Sequence, residues 1–391
     1  MKSAPLRILT FAAATGNALP YLAKDMADAF IRLGQVVGLF DLSYLTHKRE
    51  KIGQVLFRAW QGFKPDLIFT LDTIGLVPEL FDRLKIPVCS WFVDNPLFSS
   101  HILLPYKPNY HLFIWDRGYF KDLQGAGYHD LHYLPLATNP NIFKKLTLSS
   151  SELKRYGANL SFVGASSFSV GFREKREKLS AVFSEDVMEA LIERHARDPS
   201  KPITHYLAEL KWADDPQALA LFNKKHRGEL TALEFESMTR YRRKVIETVA
   251  DFGVDVWGDE GWIEAASDKI RYRGRIEYHQ EAPKLYNAAA VNLNITKSQL
   301  LTTINQRLFD VSACAAFVLS DYRSDLVELF EPGQEVVFYR TIEELPSLVD
   351  YYLRHPEERE KIAARACQRV LAQHTFIHRA QEVLAKMREV M

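Results

Sequence analysis

The stretch 288–325, AAAVNLNITKSQLLTTINQRLFDVSACAAFVLSDYRSD, decides the fold. Ala290–Ile295 and Ala316–Leu319 are short apolar runs of strand length. Between them, a loop rich in Thr and Ser gives way to a helix expected to begin near Thr303 and to carry Arg307 and Asp310. Strands apolar on both faces and separated by a helix suit a parallel sheet covered on its two sides. Strand, helix, strand is therefore the unit to look for elsewhere.

The unit recurs along the chain. Before residue 159 the apolar runs are Leu6–Phe11, Val36–Phe40, Leu67–Leu71, Val88–Val93, His111–Trp115 and His132–Leu136. Tyr21–Leu33, between the first two, places Leu22, Met26, Ala29, Phe30 and Leu33 on one helical face. Leu160–Val163 opens a second series, which resumes at Val254–Trp257, Ile270–Tyr272, Ala290–Ile295, Ala316–Leu319 and Glu335–Phe338. From 172 to 250 the apolar spacing turns helical and charged residues dominate. Glu343–Tyr352, Pro356–Ala372 and His378–Val390 read as closing helices. The prediction is an α/β fold of two Rossmann-like, doubly wound domains facing each other across a cleft. The domains are expected at 1–158 and 159–372, the latter with a helical insertion at about 172–250. A final helix at 373–391 is expected to pack back on the first domain.

Composition narrows the function. The chain has 391 residues and is 47% hydrophobic, which excludes wholesale disorder. Lys and Arg number 50 against 49 Asp and Glu, so the formal charge of +1 argues against a nucleic-acid binder. Cys89, Cys314 and Cys367 are too few and too scattered for a disulfide framework or a zinc site. No apolar stretch reaches the roughly 18 residues of a membrane span, and a cytoplasmic location is expected.

Ligands of open parallel sheets bind beyond the carboxyl ends of the strands. In the first domain those ends carry Thr15-Gly16-Asn17, Asp41, Asp72-Thr73, Asp94-Asn95 and Asp116-Arg117. In the second they carry Gly164-Ala165-Ser166-Ser167, Gly258-Asp259-Glu260, Gly274-Arg275, Asn294, Thr296-Lys297 and Ser320-Asp321. Neither GxxxxGK[ST] nor GxGxxG follows a strand, and GxSxG and HExxH are absent from the sequence. His129 and His132 read as a packing pair rather than metal ligands. The first turn of the helix after Thr302 and Thr303 suits a diphosphate, because its backbone N–H groups and positive dipole end are free. Thr302 and Thr303 would add hydroxyls, Arg307 a guanidinium fork, and Asp310 an acceptor for ribose hydroxyls. A surface ion pair between Arg307 and Asp310 is the structural alternative. The run Arg240-Tyr241-Arg242-Arg243-Lys244 reads as a solvated face.

LSFVGASS at 160–167, VDVWG at 254–258, YRGRIEYHQEAPKLYNAAAVNLNI at 272–295 and QRLFDVSACAAFVLSDYRSDLVELFEPGQEVVFY at 306–339 follow one another in a characteristic order. EELPSLVDYYLRHPEEREKIA at 343–363 and HTFIHRAQEVL at 374–384 complete it, with looser agreement at WFVDNP, 91–96, and YLPLATNPNIF, 133–143. In this order the chain resembles glycosyltransferases of the GT-B fold, in the CgeB-like group. The resemblance implies an acceptor-side first domain and a nucleotide-sugar-binding second domain, with Gly164, Ser166, Gly258 and Asn294 on the donor side. Asp310 matches the second acidic residue of the family's Glu-x7-Glu motif, which holds the ribose; the first position is Thr302 here. Arg275, Ile276 and Tyr278 match a loop that contacts the base. The implied reaction moves a sugar from a nucleotide-diphosphate donor to a glycan, protein or small-molecule acceptor, with no metal and no cofactor beyond the co-substrate. Asp94, which ends a central strand before Asn95-Pro96, is the candidate base, and Asp72 the runner-up. A nucleotide-sugar epimerase or phosphorylase of the same fold, or a non-catalytic sugar- or nucleotide-binding module, remain the alternatives.

Overall fold

A computed structural model describes residues 4–12, 19–42, 49–98, 108–166, 171–210, 222 and 225–391. Thr15-Gly16-Asn17 and Ser167, expected at strand ends, lie outside these. The chain divides into two compact units, Met1–Lys144 with Gln368–Met391, and Lys145–Cys367.

Among the described residues the first unit holds six parallel strands: β1 (Arg7–Ala12), β2 (Val36–Asp41), β3 (Leu67–Leu71), β4 (Val88–Phe92), β5 (Tyr110–Ile114) and β6 (Leu131–Tyr133). Their order in the sheet is β2-β1-β3-β4-β5-β6. Every residue of β3, β4 and β5 is buried, as expected of central strands covered on both faces. The edge strand β2 leaves Val36 and Leu39 exposed.

The helix Phe376–Val390 packs on the helix Leu19–Arg32 of this unit. Its entry is fixed by backbone hydrogen bonds from Thr138 N–H to the His374 carbonyl (3.0 Å) and from Phe376 N–H to the Thr138 carbonyl (3.1 Å). Arg379, 2% exposed, completes the attachment. Its guanidinium donates to the carbonyls of Pro135 (2.7 Å), Leu136 (3.1 Å) and Gln373 (3.2 Å) and to Glu382 Oε1 (2.9 Å). Arg379→Ala orphans three carbonyls at once and should cost about 3–5 kcal/mol. Urea unfolding followed in the first unit checks this; a midpoint equal to that of the parent chain would contradict it.

The second unit contains β7 (Ala158–Val163), β8 (Val254–Trp257), β9 (Ile270–Tyr272), β10 (Ala289–Asn294), β11 (Val318–Asp321) and β12 (Val337–Tyr339). They form a parallel sheet in the order β12-β11-β10-β7-β8-β9. The unit begins at Lys145 rather than at 159. The reason is the helix Ser150–Tyr156, which packs on the helix Ala282–Ala288 of the second unit. Lys284 Nζ meets Glu152 at 3.0 Å, and Tyr156 donates to Glu281 Oε1 at 2.7 Å. The return to the first unit falls at Gln368, inside the helix Pro356–Gln373, rather than at 373.

Between β7 and β8 the described helices are Gly171–Leu179, Glu185–Arg197, Ile203–Glu209 and Arg227–Thr248. The first three enclose a small core with Leu179, Phe183, Leu191, Ile192, Ile203, Leu207, Leu230 and Leu233. The 22-residue helix Arg227–Thr248 belongs to two cores. Its first half supplies Leu230 and Leu233 to the insertion, and its second half supplies Met238, Tyr241, Val245 and Ile246 to the main sheet. No described helix is long and apolar enough to cross a membrane.

Candidate functional site

In the second unit the strand ends are laced together by their own backbone. Gly164 N–H donates to the Trp257 carbonyl, and Gly258 N–H to the Gly274 carbonyl, both at 2.9 Å. Close approach of backbone requires glycine at Gly258, and at Gly164 a side chain would displace its neighbours. A Cβ on Gly258 would lie 2.2 Å from the Gly164 carbonyl oxygen. A Cβ on Gly164 would lie 2.9 Å from the Phe162 ring and 3.1 Å from Arg307 Nη2. Ser166, 3% exposed, is fixed by Asp259, which accepts from the Ser166 backbone N–H (3.0 Å) and hydroxyl (2.6 Å). Gly164, Ser166 and Gly258 thus shape the floor of the edge, and Ser166 Oγ spends its proton on Asp259.

Arg307 lies over that floor. Its Cζ is 5.2 Å from the centre of the Phe162 ring, and Nη1 donates to Asn294 Oδ1 at 2.8 Å. Asn294, fully buried at the end of β10, is itself oriented because its Nδ2 donates to Ser320 Oγ at 2.9 Å. Burial draws the Arg307 pKa below the ordinary guanidinium value, as expected when a cation loses water. The structure brings Arg307 onto Asn294 and leaves no room for a side chain at Gly164 without displacing its guanidinium.

The helix carrying Arg307 is Gln306–Ala313, with Asn305 at its N-cap. It therefore starts about one turn later than expected, and Thr302 and Thr303 are not in its first turn. The Thr302 carbonyl instead accepts from Asp325 N–H at 2.9 Å, which ties this loop to the one after β11. The buried Thr303 hydroxyl has no hydrogen-bond partner among the described residues. Of the first-turn N–H groups, that of Leu308 already donates to the Asn305 carbonyl at 3.3 Å, so an anion at this helix start would meet those that precede it.

Asp310 also departs from expectation. It is fully buried, accepting from the Tyr278 hydroxyl and from Gln306 Nε2 (3.1 Å). Arg307 turns to Asn294, not to Asp310, so the surface ion pair considered from spacing is not what forms. The helix start faces the strand ends while Asp310, a turn further on, faces the loop after β9. In that loop Arg275 is exposed, and Ile276 and Tyr278 are half-buried. The structure joins Tyr278 to Asp310; Arg275 and Ile276 stand apart from that pair.

Arg242 was not legible as a site residue. The run 240–244 is not a solvated face throughout: Tyr241 is 6% and Arg242 1% exposed. Arg242 donates to the Ala165 carbonyl and, at 3.1 Å, to the Ile295 carbonyl. The signal lay in the spacing of Met238, Tyr241, Val245 and Val249, a helical stripe that turns part of the run inward.

In the first unit, Asp72 and Asp94 follow the neighbouring strands β3 and β4 and are brought together. Asp72 Oδ1 accepts from the backbone N–H of Val93 (2.9 Å) and of Asp94 (3.1 Å). Asp72 sits at φ 50°, a left-handed conformation that non-glycine residues seldom adopt. Burial, and then the charge of Asp94, push its pKa up to about 7. The folded state therefore holds a proton that the unfolded chain releases near the ordinary carboxylate value. Stability from this group is complete at acidic pH and lost as pH rises through about 7. Asp72→Asn, which suits the same φ, should flatten the fall in stability between pH 5 and 8. Urea titrations of both chains across that range test it, and a constant difference between them would contradict it.

Residues 240–385 match a family described as glycosyl transferase-like. The spore protein CgeB of Bacillus subtilis (strain 168) is 22% identical over 335 residues, covering 84% of each chain. Among solved structures, sucrose-phosphate synthase from Thermosynechococcus elongatus is similar with a TM-score of 0.62 at 10% identity, over 98% of this chain and 99% of that one. HepE from Anabaena, in complex with UDP and glucose, is similar with a TM-score of 0.59 at 11% identity, over 98% and 100%.

Proposed function

We propose that this chain, whose residues 240–385 match a glycosyl transferase-like family and whose fold is GT-B, moves a hexosyl group from a nucleoside-diphosphate donor to a hydroxyl acceptor. The donor is held in the second unit, and its chemistry is that of UDP-glucose, the compound bound to HepE in a related complex.

One observation carries this reading: Arg307 is held by Asn294 beside the first turn of the helix Gln306–Ala313, above a floor cleared by Gly164. Breaking the bond between anomeric carbon and diphosphate leaves growing negative charge on the leaving group. A preset guanidinium and helix N–H groups stabilise that charge without reorganising. They supply the charge that a divalent cation would otherwise provide, so transfer is expected to need no metal. Asp310 acts by fixing Tyr278, whose ring and loop then meet the nucleoside. Asp94 removes the acceptor proton if the reaction inverts, with Asp72 as the neighbour that sets its field.

Calorimetry with UDP-glucose, followed by turnover of labelled donor in EDTA against an acceptor panel, tests the proposal. Saturable binding and EDTA-resistant transfer are expected. Absence of binding to UDP, GDP, ADP, TDP and their glucose conjugates would overturn it.

A further inference from the structure

The helical insertion is not an appendage. Its last helix, Arg227–Thr248, runs from the small core of the insertion to the main sheet and places Arg242 under the strand ends. There the guanidinium is 1% exposed and bonds two carbonyls that belong to different loops: Ala165, after β7, and Ile295, after β10. Those carbonyls directly follow the two residues beside Arg307, namely Gly164 and Asn294. Arg242 and Arg307 also share a neighbour. Their Cζ atoms stand 5.6 and 5.2 Å from the centre of the Phe162 ring.

Two cations are thus gathered on one aromatic residue, Arg242 buried and Arg307 half-buried, and the charge of Arg307 disfavours that of Arg242. Burial and the charge of Arg307 together pull Arg242 down to about 9, leaving it charged at neutral pH. An arrangement of like charges in a desolvated site is costly alone and favourable once a polyanion arrives. His195, fully buried on the helix Glu185–Arg197, is held to about 4 by burial and then by the charge of Arg323 on the loop after β11.

We infer that Arg242 is a positioning residue through which the insertion sets the donor site: it locks the loops after β7 and β10 and presses Arg307 towards the diphosphate. This rests on the donor site proposed above. It assigns the insertion a role in donor affinity and makes Arg242 act through Arg307 rather than by touching substrate.

The test compares the parent chain with Arg242→Met, Arg242→Lys and Arg307→Ala, using UDP as the probe. Dissociation constants are measured by calorimetry at a temperature where circular dichroism shows each chain folded. Hydrogen exchange is followed at residues 164–166 and 294–297. Arg242→Met should weaken UDP binding at least tenfold and speed exchange in both loops, and Arg242→Lys should recover part of each. Two results overturn the inference while leaving the donor site standing. One is UDP affinity within twofold of the parent in Arg242→Met while Arg307→Ala binds weakly. The other is an unfolded Arg242→Met with Arg242→Lys matching the parent in both affinity and exchange. If the parent chain binds no UDP, GDP, ADP or TDP, the donor site falls and this role falls with it.

Discussion

If the proposed role holds, Asp94→Asn should lower the rate of sugar transfer by about 100- to 10,000-fold, the range supplied by a positioned general base, and leave UDP affinity unchanged. The variant keeps the backbone intact, so the Asp94 N–H still donates to Asp72 Oδ1. What it loses is the charge facing Asp72. Because that charge is one of the causes holding Asp72 up to about 7, its removal lets Asp72 ionise at lower pH. Any residual activity should therefore show an acidic limb displaced downward. Steady-state kinetics from pH 5 to 9 read out both effects. A rate within threefold of the parent would remove Asp94 from the chemistry and turn attention to Asp72.

Arg307→Ala is the second large effect. Hydrogen bonds to a charged group contribute about 1.5–3 kcal/mol, equivalent to a loss of UDP affinity of roughly 10- to 150-fold. The same substitution should cost little stability. Arg307 is desolvated beside another cation, so deleting it relieves a repulsion while giving up the Asn294 bond. A large change in dissociation constant with a melting temperature within a few degrees of the parent is the signature of a residue kept for a ligand. The opposite pattern, unchanged affinity with a large loss of stability, would mark Arg307 as a structural residue.

Particular residues show why some of this was legible beforehand. The apolar residues Ala290, Val291, Leu293 and Ile295 predict a strand at 290–295, and β10 lies at 289–294, because a strand covered on both faces is mostly apolar. The sequence predicts the next helix from near Thr303, whereas it begins at Gln306. Tertiary bonds from Asp325 hold the Thr302 loop outside the helix, leaving the N-cap to Asn305. Asp310 was given an open position by its polarity, yet its partner Tyr278 stands 32 residues earlier on another loop, beyond the reach of helical periodicity. Arg242 was concealed among four other residues of a basic run. Charge alone marks such a run as surface, whereas the carbonyls that pull Arg242 inward come from positions 165 and 295. Local pattern settled the elements; the pairings across distant loops required the fold.

A crystal of this chain soaked with UDP tests the central claim most directly. The account predicts the diphosphate within hydrogen-bond distance of the Arg307 guanidinium and of the first-turn N–H groups of the helix Gln306–Ala313, with the nucleoside towards Tyr278. Density for UDP at any other place, with Arg307 still turned to Asn294 alone, would contradict it.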